Sequence, residues 1–115
     1  MKSSATSPIW YVTLVSLRDT LTDVIRSFRH AGLGKFFRTG SKAGIQPAHA
    51  HRLQDQLFLL DEADKPSKMN VPGWHLHPLK GELADHWSVR VDGNWRLTFR
   101  FEGEDATLVD YRDYH

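Results

Sequence analysis

The sequence predicts an α+β domain in which two helices precede an antiparallel meander of strands. Residues 95–101 alternate strictly, with Trp95, Leu97, Phe99 and Phe101 apolar and Arg96, Thr98 and Arg100 polar, which is the period of a half-buried strand. Residues 87–91 repeat the pattern in Trp87, Val89 and Val91 against Ser88 and Arg90, and Asp92-Gly93-Asn94 between the two runs is a short-hairpin signal. Earlier, Ala50, Leu53, Leu57 and Leu60 recur at helical spacing and form one apolar stripe.

In chain order, residues 1–23 stand apart. SPIWYVTLVSL holds an apolar run well short of the roughly twenty residues that cross a bilayer. It has a single Lys2 ahead of it and no small-x-small site behind, so it is a poor secretory signal. Residues 1–23 read as a dispensable extension or a misassigned start, because Val24 is what an alternative GUG start codon would leave inside an over-long frame. The other reading is an added edge strand over 10–15, which is rich in β-formers.

The globular domain is therefore expected over 24–115, beginning with a short extended segment at 25–28. Residues 30–39 place Leu33, Phe36 and Phe37 on one side at helical spacing, and Gly40 follows where a helix takes its left-handed stop. After the loop SKAGIQ, Pro47 sits in the first turn of a second helix running to about residue 63. His49, Arg52, Gln56, Asp61 and Glu62 are expected largely off its buried stripe. DKPSKMNVPG, with two prolines and no periodicity, reads as a long connector. Four strands follow, over 74–79, 87–91, 95–101 and, past a turn at 102–105, 107–111. Both helices are expected on the apolar face of this meander. That leaves Ser88, Arg90, Arg96, Thr98 and Arg100 on an open, positive face able to hold a phosphate backbone.

At 115 residues the chain is one small domain with a single core. Its 15 Lys and Arg against 14 Asp and Glu exclude a protein that coats nucleic acid by bulk charge, so any RNA contact must be local. The absence of cysteine excludes disulfides, a thiolate zinc site and a cysteine nucleophile, and it fits a reducing cytoplasm.

Residues 77–115 gather His77, Lys80, Arg96, Tyr114 and His115. Metal-free cleavage of RNA uses the ribose 2′-hydroxyl as nucleophile. A base takes its proton, cations stabilise the charge on the phosphorane oxygens, and an acid protonates the departing 5′-oxygen. Histidine suits both proton transfers because its ordinary pKa is roughly 6.5. Arginine offers a planar fork to phosphate, and lysine a point charge that Gly81 lets the backbone aim. Each of these residues also has an ordinary reading: a backbone-bonded histidine, a frayed terminus, solvated surface cations. Tyr114 is the better candidate to meet a nucleotide, with Tyr111 behind it, since aromatics in strands mostly pack. His75, His77, His86 and His115 are imidazole-rich, yet no helical HExxH pattern accompanies them and no carboxylate can be identified to orient a liganding imidazole, so no metal is expected. No serine sits on a glycine-flanked nucleophile elbow.

HPLKG at 77–81, Trp87-Ser88, GNWRLTF at 93–99 and the terminal DYRDYH resemble the HigB toxins, the plasmid-maintenance killer proteins of the RelE superfamily. IRSFRH at 25–30 and GSKAG at 40–44 match as well, so the resemblance runs from about residue 24 to the end. It implies a RelE-like fold and a type II toxin. Such a toxin is a cofactor-free endoribonuclease that enters the A site of the 70S ribosome, cuts translated mRNA without a metal, and is neutralised by a HigA-like helix-turn-helix antitoxin. The antitoxin would supply the DNA contact, and no membrane is involved. The family's functional positions fall on His77, Lys80, Arg96, Tyr114 and His115. Arg90, Thr98 and Arg100 would add RNA contacts from the same face. Asp85 departs from the pattern, standing where relatives often carry glycine and where a left-handed residue is expected. Two other classes compete: a catalytically silent module that occupies RNA or the ribosome, and a purely structural partner of another protein.

Overall fold

The computed structural model describes residues 25–114. The extension at 1–23, its alternative edge strand and His115 lie outside the described residues. Helix α1, Ala31–Thr39, and helix α2, Ala50–Glu62, precede strands β1 His77–Pro78, β2 His86–Asp92, β3 Trp95–Glu102 and β4 Asp105–Asp113. The strands form one antiparallel sheet in sequence order, as a meander requires.

Helix α1 starts where His30 supplies the cap: its Nδ1 accepts the Leu33 N–H at 2.9 Å. It stops at Gly40, whose φ of 83° carries the left-handed turn and whose N–H returns to the Phe36 carbonyl. Pro47–His49 form a single 3-10 turn that feeds α2. Leu33 and Phe36 from α1 and Ala50, Leu53, Leu57 and Leu60 from α2 share one core with Val89, Val91, Leu97, Phe99 and Val109 of the sheet.

Helix α2 buries a wider face than its apolar stripe marks. His49 and Gln56, expected off that face, are buried. Residues 49, 53, 56 and 60 themselves follow helical spacing, so the two polar residues flank the leucines. Gln56 Nε2 donates to the Arg90 carbonyl at 2.9 Å and ties the helix to β2 where the β2–β3 register shifts. The Tyr111 hydroxyl oxygen accepts the Gln46 N–H at 3.2 Å and lies 2.7 Å from His49 Nδ1. The phenol can donate to Nδ1 while it accepts from Gln46. The tautomer that accepts this bond carries its proton on Nε2, where Asp92 Oδ2 lies 3.5 Å away to receive it.

Three further differences concern length and order. The connector holds a 3-10 turn, Pro66–Met69, that sinks Met69 fully into the core. Strand β1 is two residues long because His75 adopts a φ of 53°, though bonds from Arg90 N–H to the Trp74 carbonyl and from Leu79 N–H to the His86 carbonyl extend the contact. Strand β4 is longer than expected and contains Leu108 at a φ of 53°, beside a register shift with β3. The segment at 25–29 runs parallel to β4, with bonds from Arg26 and Arg29 N–H to the Ala106 and Val109 carbonyls. Ser27 fills the bulge: its Oγ accepts the Leu108 N–H and its carbonyl the Val109 N–H. The free edge of β4 is thereby covered.

Removing the phenol by Tyr111→Phe leaves His49 Nδ1 and the Gln46 N–H without their partner. Urea denaturation should show a loss of about 1–3 kcal/mol at unchanged m-value, the cost of unmade buried hydrogen bonds.

Candidate active site

The strand register sorts the polar residues into rows across one sheet face. His77 stands opposite Ser88, Ser88 opposite Thr98, and Thr98 opposite Asp110. One row toward the β2–β3 hairpin, Arg90 faces Arg96 and Arg96 faces Arg112. One row the other way, His86 faces Arg100 and Arg100 faces Thr107. His77 and Arg96 therefore lie on the same face.

That face is not open throughout. Ser88 and Thr98 are each 1% exposed, so the RNA contact expected of Thr98 is corrected: its side chain is buried in the floor of the face. Alternation tells which face a residue takes, not how deep its neighbours leave it. Arg90 is exposed, whereas Arg100 is half-buried with Nη2 at 3.5 Å from Glu102 Oε2.

His77 is exposed, and its Nδ1 lies 2.8 Å from the Pro78 carbonyl. A carbonyl only accepts, so Nδ1 carries the hydrogen and Nε2 of the neutral ring holds the lone pair a base needs. Lys80 is exposed, and Gly81 after it takes a φ of 70°, the sharp turn expected there. Arg96 Nη1 donates to the carbonyls of Gly93 at 2.7 Å and Trp95 at 3.1 Å, which holds the guanidinium over the hairpin. Tyr114 N–H donates to the Asn94 carbonyl at 2.9 Å, and the Arg112 guanidinium carbon lies 5.5 Å from the Tyr114 ring centre. Arg96, Arg112 and Tyr114 thus gather at the hairpin, with His77 and Lys80 on the β1 side. The two edge strands are three strand spacings apart, about 14 Å. A ligand between them would be met by side chains reaching inward over Ser88 and Thr98.

Tyr111 is a core residue: burial pushes its phenol pKa up, while the Gln46 N–H pulls it down. Asp85 is not among the residues with positive φ, so the left-handed residue expected there is not required. Among the described residues no group of three or more His, Cys, Asp or Glu could hold a metal ion.

One perturbed group is a residue that sequence reasoning weighed only for metal binding. His86 is buried, and burial depresses its pKa. Arg100, then Arg29, and more weakly Arg112 push the same way, while Asp85 opposes them. Its position among three other histidines had suggested only a metal ligand. Its place opposite Arg100 was readable from the strand alternation, but Arg29 comes from a distant segment.

Residues 26–115 match the model of a family described as the RelE-like toxin of type II toxin-antitoxin system HigB. The chain belongs to the HigB-like toxin family. It is similar to Endoribonuclease HigB of Proteus vulgaris, with 39% identity over 92 residues that take in 80% of this chain and 100% of that protein. Over a shorter stretch it is similar to Toxin YoeB of Mycobacterium bovis and Toxin RelK of Mycobacterium tuberculosis, each 42% identical over 38 residues, 33% of this chain and 44% of the relative. A HigB-like toxin belongs to a two-protein system, which implies an antitoxin partner. Its fold here is α+β, two helices and a four-stranded antiparallel sheet. Among the described residues no helix is long and apolar enough to cross a membrane.

Because His86 has a folded-state pKa below its unfolded value, the unfolded chain binds the extra proton first as pH falls. Its contribution to stability is complete above the ordinary histidine range and is lost as pH falls from there toward the lowered folded value. Melting temperature should drop between pH 7.5 and 5.5, and the drop should be smaller in His86→Phe, as followed by circular dichroism.

Proposed function

We propose that this chain is the toxin of a type II pair and acts as a ribosome-dependent endoribonuclease, cleaving translated mRNA in the cytoplasm and thereby stopping growth. The observation that carries this reading is the register that brings His77 and Arg96 to one sheet face. The likeness to an endoribonuclease along its whole length supports it. Both helices would lie over the apolar face, as in RelE-like toxins, leaving the polar face for RNA.

In this scheme His77 Nε2 takes the proton from the ribose 2′-hydroxyl, and the 2′-oxygen attacks the adjacent phosphorus. Arg96, through Nε and Nη2, and Lys80 stabilise the negative charge that builds on the non-bridging oxygens. His115 delivers a proton to the 5′-oxygen as it leaves, so the products are a 2′,3′-cyclic phosphate and a free 5′-hydroxyl. Tyr114 positions the nucleotide beside the scissile bond, and Arg90 and Arg100 hold the flanking backbone. No metal is needed, since every proton and charge has a side chain to meet it. The partner that restrains the toxin is a HigA-like helix-turn-helix antitoxin, and the pair would meet DNA only through it. The domain responsible is 24–115, with 1–23 an extension it can do without.

Inducing the chain in growing cells and mapping mRNA ends should reveal cuts within translated frames that vanish when the neighbouring antitoxin gene is co-expressed. Arg96→Ala should lower cleavage at least about 100-fold, the scale of losing one donor to a developing oxyanion, with His77→Gln close behind. Growth arrest with intact mRNA would point instead to a silent ribosome-binding module. Arrest unchanged in Arg96→Ala and in a chain lacking His115 would point to a structural role.

Starting the chain at Val24 should leave solubility, cleavage and antitoxin neutralisation as in the full chain. Insolubility or lost cleavage in that shortened form would refute the extension reading.

A further inference from the structure

The row of His86, Arg100 and Thr107 is set apart by what it leaves unmade. The three residues stand opposite one another on β2, β3 and β4. His86 is 7% exposed and Thr107 6% exposed, yet among the described residues His86 Nδ1, His86 Nε2 and Thr107 Oγ1 have no hydrogen-bond partner. Buried polar atoms are nearly always paired, and a cluster that is not calls for a ligand or a solvent molecule to complete it. Here the unmade bonds flank an arginine on both sides.

The field at this row is positive. Arg100, Arg29 and Arg112 all act on the imidazole against Asp85 alone, and Glu102 lies 3.5 Å from Arg100. Arg29 reaches the row from the segment that covers the edge of β4, where its N–H is bonded to the Val109 carbonyl. Burial, the largest cause of the lowered His86 pKa, disfavours charge of either sign, and it is the arginines that make an anion preferable to a second cation here. An imidazole N–H, a hydroxyl and two guanidinium groups form a donor set suited to the non-bridging oxygens of a phosphodiester.

We propose that His86, Arg100 and Thr107, with Arg29 at their edge, form a second phosphate subsite that takes a backbone phosphate of bound RNA next to the one that is cut. This rests on the RNA-cleaving reading of the face. The row lies two residues along β2 and β3 from the Ser88 and Thr98 row that His77 faces, about 7 Å. That is the scale of one nucleotide step along an extended strand. The incoming phosphate displaces Glu102 from Arg100, and the half-buried Arg100 and exposed Arg29 side chains move aside to admit it. Neither the scissile linkage nor the groups at the β2–β3 hairpin are involved.

The test uses the full chain and a fluorescent 2′-O-methyl RNA decamer, which can bind but lacks the attacking hydroxyl. Fluorescence anisotropy should show Arg29→Ala and His86→Phe binding the decamer about 5- to 10-fold more weakly, with the salt slope of Arg29→Ala smaller by about one, as loss of a single phosphate contact requires. A 2′-O-methyl dinucleotide, with one phosphate for the cutting site, should bind both variants as it binds wild type. Arg29 is exposed, so its variant keeps the test decisive even if His86→Phe folds poorly. Decamer binding unchanged in Arg29→Ala would overturn the subsite, as would equal weakening toward the dinucleotide. A third overturning result would be inorganic phosphate shifting the His86 ring resonances while both variants keep full decamer affinity, since the row would then hold only a free anion. Weaker decamer binding by the two variants, together with a wild-type protein that cuts no mRNA, would uphold the subsite and refute the nuclease reading.

Discussion

Strand β3 makes two demands of the same eight residues, and the pairing register is what satisfies both. Leu97 and Phe99 are fully buried in the core, and the residues between and beside them, Arg96, Thr98 and Arg100, turn to the opposite face. Because side chains alternate, a slip of one residue would send the arginines into the core and the leucine and phenylalanine out. Several contacts hold the register. Gly93 takes a φ of 55° in the two-residue β2–β3 loop, Gln56 clasps the Arg90 carbonyl where the ladder shifts, and Ser27 fills the bulge opposite on β4. Each acts on backbone, so the core face and the polar face are fixed together.

The polar face concentrates cations on a chain whose net charge is only +1. Arg90, Arg96 and Arg112 occupy one row, and like charges directly opposite one another destabilise a sheet. Local acceptors temper this: Arg96 is held by the Gly93 and Trp95 carbonyls, and Arg112 Nε lies 3.9 Å from Asp110 Oδ2. None of these gives the bidentate carboxylate fork that would neutralise a guanidinium fully. The row therefore presents positive charge that an anion laid along the face would offset. A fold optimised for stability alone would have little reason to keep three arginines abreast.

How much of this was legible in the sequence depends on which property is asked for. Period two announced β2 and β3 and the faces of their residues, and Gly93 and Gly40 marked a hairpin and a helix stop. Depth was another matter. Ser88 and Thr98 were assigned the right face but are buried there, because alternation fixes the face a residue takes and not its depth. His49 and Gln56 look like surface residues by type, yet a phenol from β4 and a bulged carbonyl from β2 give them partners inside. No local pattern carries that information, since those partners lie 62 and 34 residues away. Strand β1 was overestimated for a local reason, the left-handed His75. The row around His86 escaped notice because it needs cross-strand pairing and a visit from Arg29 at once.

The hairpin at Gly93-Asn94 links two candidate groups that sequence alone treats as unrelated. The Gly93 carbonyl holds Arg96 Nη1, and the Asn94 carbonyl holds the N–H of Tyr114. The β3–β4 ladder continues to Asp113, and the Tyr114 N–H is bonded to the turn. Arg112, stacked near the Tyr114 ring and opposite Arg96, closes the set. One two-residue turn therefore orients an arginine and a tyrosine together, and its conformation rests on a glycine at positive φ. Any residue with a side chain at position 93 would strain the turn and disturb both groups, although neither Gly93 nor Asn94 carries an ionisable side chain. The placement of these candidate groups is in this sense a property of backbone carbonyls, which is why charged residues of the face can be spaced far apart in sequence and still be held in register.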